Sequence, residues 1–190
     1  MTQARTWRWL LAGVLAIAAT VAQADDALWA LLREGGQVVV IRHALTDPGV
    51  GDPPGFQLGE CRTQRNLSEE GRGEARRLGD ALRARRVPVA GVQSSPWCRS
   101  METAQLAFRR AAQAQPALGN LFGRPEREAQ QVADLRRLVQ APAGGGNLFL
   151  VTHGSTTLAL TGVSPATAEM VVLTPQAGGG FKVAGRLRVP

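Results

Sequence analysis

Three short apolar runs constrain this chain most. Gln37–Ile41 (QVVVI), Val89–Gln93 (VAGVQ) and Asn147–Thr152 (NLFLVT) are brief, mainly apolar, and separated by stretches with helical periodicity. Runs of this kind read as strands buried on both faces, which fits parallel strands covered by helices. Between the first two, Ser68 is placed to cap a helix with Glu69 and Glu70 in its first turn. Ala75, Leu78, Ala81 and Leu82 then recur at helical spacing as far as Arg86. Further helices are expected from about Arg99 to Gln115, over Arg124–Gln140, and briefly after His153. Thr46–Gln64 is rich in Gly, Pro and Asp and reads as loop, and Ala141–Gly146 as a connector. Glu169–Leu173 and Phe181–Leu187 flank Gly178-Gly179-Gly180 as a C-terminal β-hairpin. The expected fold class is therefore α/β, a three-layer sandwich with a mostly parallel central sheet. No repeat or second domain is visible.

The first 24 residues read differently. Arg5 and Arg8 precede the apolar run Leu10–Val21, and Ala22-Gln23-Ala24 precedes Asp25-Asp26. This is the order of a secretory signal peptide. The run is shorter than the ~20 residues a spanning helix needs. Residues 1–24 are expected to be cleaved, leaving one domain over 25–190 in the periplasm or outside the cell, with no stable membrane anchor. In an oxidising compartment Cys61 and Cys98 are free to pair. Sequence leaves a disulfide and two buried thiols both open. A bridge would tie the Gly59–Thr63 loop to the residue before Arg99.

The net charge of +7 falls to +5 with the loss of Arg5 and Arg8. Nucleic-acid binders interleave basic patches with stacking aromatics. Here the arginines lie mostly on helices beside Glu and Asp, so no nucleic-acid partner is expected. Trp29 reads as a packing residue. Trp97 reads either as core or as the edge of a substrate mouth.

Ligands of open α/β sheets bind beyond the carboxyl ends of the strands. Arg42-His43 follows the first run, Ser94-Ser95-Pro96 and then Arg99 follow the second, and His153-Gly154-Ser155 follows the third. The chain has two histidines, and both stand at such ends. Arginine forks and helix N-termini suit a phosphoryl group. A neutral imidazole is a competent nucleophile toward phosphorus. Two histidines without an acidic cluster do not make up a set of three or four metal ligands. No metal or cofactor is expected.

These segments resemble the histidine phosphatase superfamily, the phosphoglycerate mutase-like family. Arg42-His43-Ala44 stands where many members have Arg-His-Gly. Leu67-Ser68-Glu69-Glu70-Gly71-Arg72-Gly73-Glu74-Ala75, Ser94-Ser95-Pro96-Trp97-Cys98-Arg99 with Thr103-Ala104, and Thr152-His153-Gly154 follow in the family's order. The resemblance spans roughly residues 36–174 and implies a phosphoglycerate mutase-like fold. It implies His43 as the phosphoryl-accepting nucleophile. Arg42, Arg99 and His153 would form the phosphate pocket, with His153 protonated or donating. Thr46 is placed either to hydrogen-bond to phosphate, as an added ligand, or to cap a turn. The expected activity is metal-independent phosphomonoester hydrolysis through a phosphohistidine. The alternative is a phosphate- or phosphoprotein-binding module with little turnover.

The family usually supplies an acidic proton donor. The position one branch uses is Gly154 here, so Glu128 is carried as the candidate, with Glu126, Glu169 or no donor as alternatives. Ala44 in place of Gly is expected to add a methyl near the phosphate. The short segment between Arg99 and His153 leaves little room for a cap, so an open site is expected. It would take a small phosphorylated substrate or a phosphorylated cell-envelope component.

Overall fold

The computed structural model describes residue 23, residues 25–140 and residues 144–190. The expected signal peptide lies outside the described residues except for Gln23, as do residues 141–143 of the connector. Residues 25–34 form a helix, α1, that the sequence reading does not anticipate. Six strands follow: β1 (Val38–Arg42), β2 (Val89–Ser94), β3 (Gln113–Ala114), β4 (Asn147–Thr152), β5 (Met170–Pro175) and β6 (Phe181–Leu187). They are interleaved with α2 (Glu69–Ala84), α3 (Cys98–Phe108), α4 (Glu128–Gln140) and α5 (Gly154–Thr161).

The strands form one sheet in the order β3-β2-β4-β1-β5-β6. The β3-β2-β4-β1 half is parallel, and β5 and β6 continue it as the expected antiparallel hairpin. Strand β1 shows the period of two directly. Val39 and Ile41 face a core shared with Trp29 and Leu32 of α1, Leu78 and Leu82 of α2, and Ala104 and Ala107 of α3. Val38 and Val40 face Leu135 and Val139 of α4 and Leu160 of α5. Both faces are covered, which is why the central strands read as continuous apolar runs. Trp29 packs as expected.

Two helix limits differ from the sequence reading. Helix α3 stops at Phe108, not Gln115, because Arg109 takes a left-handed conformation (φ 52°) and ends the helix. Residues 113–114 then pair with β2 as an edge strand. Helix α4 begins at Glu128, because Pro125–Arg127 form a separate 3-10 turn.

Ser68 caps α2 as expected, its Oγ accepting from the Gly71 N–H at 3.1 Å. Gly71 has a second role. A β-carbon there would sit 1.9 Å from the Leu45 carbonyl oxygen, so α2 packs directly on the backbone that follows His43. Glu74 Oε2 accepts from the Leu45 N–H at 2.8 Å on the same contact.

Candidate active site

The parallel ladder pairs Arg42 with Thr152, so the next residue on each strand, His43 and His153, emerges at the same edge. The His43 N–H continues the ladder to the Thr152 carbonyl at 2.8 Å, and the ring centroids are 5.3 Å apart. Strand β2 ends one position over and leads through Ser95 into α3, whose second residue is Arg99. Thr103 links the two parts. Its Oγ1 accepts from the Ala44 N–H at 3.0 Å and donates to the Arg99 carbonyl at 2.7 Å.

His43 is buried, and its Nδ1–H donates to the Ala44 carbonyl at 2.8 Å. That bond leaves the lone pair on Nε2. Burial first, then the charges of Arg99, Arg42 and Arg65, push its pKa down to about 3, against the pull of the Ala44 carbonyl. The imidazole is therefore neutral over the ordinary pH range.

His153 is also buried, and its Nε2 lies 2.8 Å from Ser95 Oγ. With the Ser95 hydroxyl donating, the ring proton stands on Nδ1, which is buried and has no partner. Burial, then His43 and the three arginines, hold its pKa well below the usual histidine value. Of the two states the resemblance implies, the neutral donor is the one the electrostatics favour.

Arg42 donates through Nη1 to the Pro165 carbonyl at 3.0 Å, and its Nε is buried without a partner. Arg99, 1% exposed, is gripped end-on by Asp52, 4% exposed. Nη1 donates to Oδ1 at 2.6 Å and Nη2 to Oδ2 at 3.1 Å. The Arg65 N–H and the Trp97 indole N–H also donate to this carboxylate, at 3.2 and 3.0 Å. Burial opposes its ionisation, but these donors win and hold its pKa below the usual range. The fork's end is thus committed, and Arg99 Nε is left buried and unpartnered. The same is true of Arg65 Nε, while Arg65 Nη1 donates to the Gly49 carbonyl at 2.6 Å.

Four polar nitrogens are thus left without a partner: Nε of Arg42, Arg65 and Arg99, and Nδ1 of His153. All four residues, with His43, line one cavity of about 430 Å³. Orphaned buried donors are costly, and a set of them around three guanidinium groups and an uncharged imidazole is the signature of an anion site. With Asp52 offsetting one charge, the fixed charge around it sums to about +2, that of a dianion's counterpart.

Other expected residues stand elsewhere. Glu128 is exposed at the start of α4 and lines a different cavity with Pro125, Ala129, Val132 and Ala159, so its assignment as catalytic acid is corrected. Glu126 is exposed on the preceding 3-10 turn. Glu169 is buried and held by Arg186 at 2.7 Å, outside the pocket lining. Thr46 forms an isolated bridge with Leu67 and does not line the pocket either, which corrects its assignment as a phosphate ligand. The Ala44 methyl packs with Leu67, Ala75 and Ala168, away from the anion site. Trp97 is buried against the edge of His153, 5.3 Å between centroids.

The sequence reading missed Asp52 and Arg65. Arg65 stands three residues before the Ser68 cap and carried a faint positional signal; Asp52, in a Gly- and Pro-rich loop, carried none. Cys61 and Cys98 form a disulfide, with Cα atoms 5.6 Å apart. It fastens the loop bearing both residues to the first residue of α3.

Fold and pocket together define an α/β protein with a cationic anion site at the carboxyl ends of its central strands. The family model of the histidine phosphatase superfamily (branch 1) matches residues 38–121. Among solved structures, the protein histidine phosphatase SixA complexed with tungstate is 18% identical at a TM-score of 0.59, covering 80% of this chain and 96% of its own. A mycobacterial glucosyl-3-phosphoglycerate phosphatase complexed with VO3 is 18% identical at 0.58, covering 78% and 96%. A SixA-type protein from Agrobacterium tumefaciens, described as a phosphohistidine phosphatase on a provisional basis, is 20% identical at 0.53, covering 80% and 97%. A search of curated proteins finds no significant match. The match to the histidine phosphatase superfamily is thus carried by residues 38–121, and these solved structures share the fold.

Proposed function

We propose that the protein is a metal-independent phosphomonoester hydrolase that works through a phosphohistidine on His43. The observation that carries this reading is the pairing of a neutral, tautomer-fixed imidazole with four unpartnered buried nitrogens in one cavity. The His43 Nε2 lone pair forms a bond to phosphorus as the ester P–O bond breaks. The bonding pair leaves on the ester oxygen, which takes its proton from solvent. Arg42, Arg65, Arg99 and His153 Nδ1–H take up the charge on the non-bridging oxygens. Water then adds to phosphorus, the P–N bond breaks with its pair returning to Nε2, and inorganic phosphate departs. Two structural neighbours are phosphatases complexed with oxyanions, tungstate and VO3, which supports an oxyanion-binding site on this fold.

The substrate class is a small phosphorylated molecule or a phosphorylated component of the cell envelope. Cleavage after Ala24 and residence in the periplasm or outside the cell are part of the same reading; the disulfide, stable in oxidising compartments, supports them.

The test is hydrolysis of p-nitrophenyl phosphate by the purified protein in EDTA. Turnover is expected, and His43→Ala is expected to abolish it. Turnover that survives His43→Ala, or that appears on addition of a divalent metal alone, overturns the mechanism.

A further inference from the structure

Large apolar side chains that stand exposed on this protein are not scattered. Of the four recorded among the described residues, Val50 (86% exposed), Phe122 (58%) and Leu158 (48%) all line the histidine pocket. They come from three separate segments: the 49–51 loop, the loop before α4, and α5. The Phe122 ring lies alongside Gly51, where a β-carbon would be 3.9 Å away. Single exposed apolar residues mean little, but several gathered at one mouth mark a binding surface. Below them lie the cationic groups that take the anion. Asn120 and Ser155, joined by a 2.9 Å hydrogen bond, are on the same lining.

The lining also bears on the leaving group. No carboxyl side chain among the described residues lines this cavity, and the nearby Asp52 carboxylate is saturated by Arg99, Trp97 and Arg65. An aryl oxide departs readily as the anion, since phenols ionise near a pKa of about 10. An alkoxide is far more basic and needs a proton as it leaves.

We propose that Val50, Phe122 and Leu158 form an apolar collar that seats the ring of an aryl phosphomonoester, with the ester oxygen at its centre and the phosphate among the arginines. The inference rests on the hydrolase reading for its chemistry, though the collar itself is a binding site. The P–O pair departs on the aryl oxide, which takes its proton from solvent. A cavity of about 430 Å³ suits a small-molecule ligand.

The test separates binding from turnover. Calorimetry on the purified protein compares phenylphosphonate, hexylphosphonate, methylphosphonate and inorganic phosphate. Phenylphosphonate is expected to bind roughly ten-fold more tightly than methylphosphonate, the scale of apolar pocket discrimination, and more tightly than hexylphosphonate. Phe122→Ala and Leu158→Ala, both at exposed positions, are expected to erase most of the phenyl preference and leave phosphate affinity unchanged. Equal affinity for phenyl and methyl compounds, a hexyl preference, or a phenyl preference that survives both substitutions overturns the collar. Phosphonate discrimination without hydrolysis of phenyl phosphate sustains the collar and sinks the hydrolase reading. Hydrolysis with no discrimination does the reverse.

Discussion

Gly71→Ala probes the contact between α2 and the backbone behind His43. The new β-carbon would lie 1.9 Å from the Leu45 carbonyl oxygen, 2.7 Å from its carbon and 2.9 Å from its nitrogen. These are backbone atoms and cannot swing aside. Alanine gains about 1 kcal/mol of helix propensity over glycine. Overpacking costs about 1–3 kcal/mol. The shift also weakens the bond from the Ser68 N–H to the Leu45 carbonyl (3.1 Å) and that from the Leu45 N–H to Glu74, each worth about 1 kcal/mol net. A net loss of roughly 2–3 kcal/mol is expected from these terms. At about 2–4 °C per kcal/mol for a chain of this size, the melting temperature should fall by roughly 5–10 °C. Because Leu45 follows the residue whose carbonyl fixes His43, turnover of p-nitrophenyl phosphate should fall further than stability alone explains. Gly73→Ala is the control. Its β-carbon would meet the mobile end of Arg77 at 3.2 Å, and a gain of about 0.5–1 kcal/mol is expected. Urea denaturation of both variants decides the matter. If Gly71→Ala is as stable as Gly73→Ala, the close approach is not what requires glycine.

Further outcomes follow from the loop and the histidines. Asp52→Ala leaves Arg99 buried without its partner and should cost about 3–5 kcal/mol; a stability unchanged in urea would show the pair to be dispensable. Cys61→Ser with Cys98→Ser releases a closed loop with a sequence separation of 37. The chain-entropy model puts the loss at about 4 kcal/mol, read as a lowered melting temperature that reductant no longer changes. Both histidine pKa values are depressed in the folded state, His43 to about 3, against about 6.5 unfolded. The unfolded chain therefore binds protons first. Stability should fall as pH drops below about 6.5, by up to about 1.4 kcal/mol per unit for each histidine, and for His43 the loss continues toward pH 3. A flat stability profile between pH 7 and 5 would refute the buried, neutral assignment.

Much of the fold was legible because the central strands are buried on both faces and spell it as unbroken apolar runs. Both histidines were found because strand ends are where such sheets present chemistry. What was not legible depends on contacts distant in sequence. Asp52 reaches Arg99 across 47 positions, and nothing in its Gly-Asp-Pro-Pro surroundings marks it as buried. Helix α3 ends at Phe108 because of one left-handed residue, Arg109, of a type that rarely signals a stop. Chain order alone points to Glu126, Glu128 and Glu169 as proton donors. Folding spends Glu169 on Arg186 and leaves Glu126 and Glu128 on the surface.

The site is assembled from two parts of unequal origin. His43 and His153 follow adjacent strands that the parallel ladder holds in register at Arg42 and Thr152, so their spacing persists until the sheet itself comes apart. Arg65 and Asp52 belong to a loop moored to α3 by one disulfide, one ion pair and a few hydrogen bonds, among them Trp97 Nε1–H to Asp52 and the Cys98 N–H to Gln64. Amide exchange should report this as two opening events, a global one for β1 and β4 and a lower-energy one for the loop. A reductant would then loosen the loop that carries Arg65 and Asp52 while leaving His43 and His153 in place.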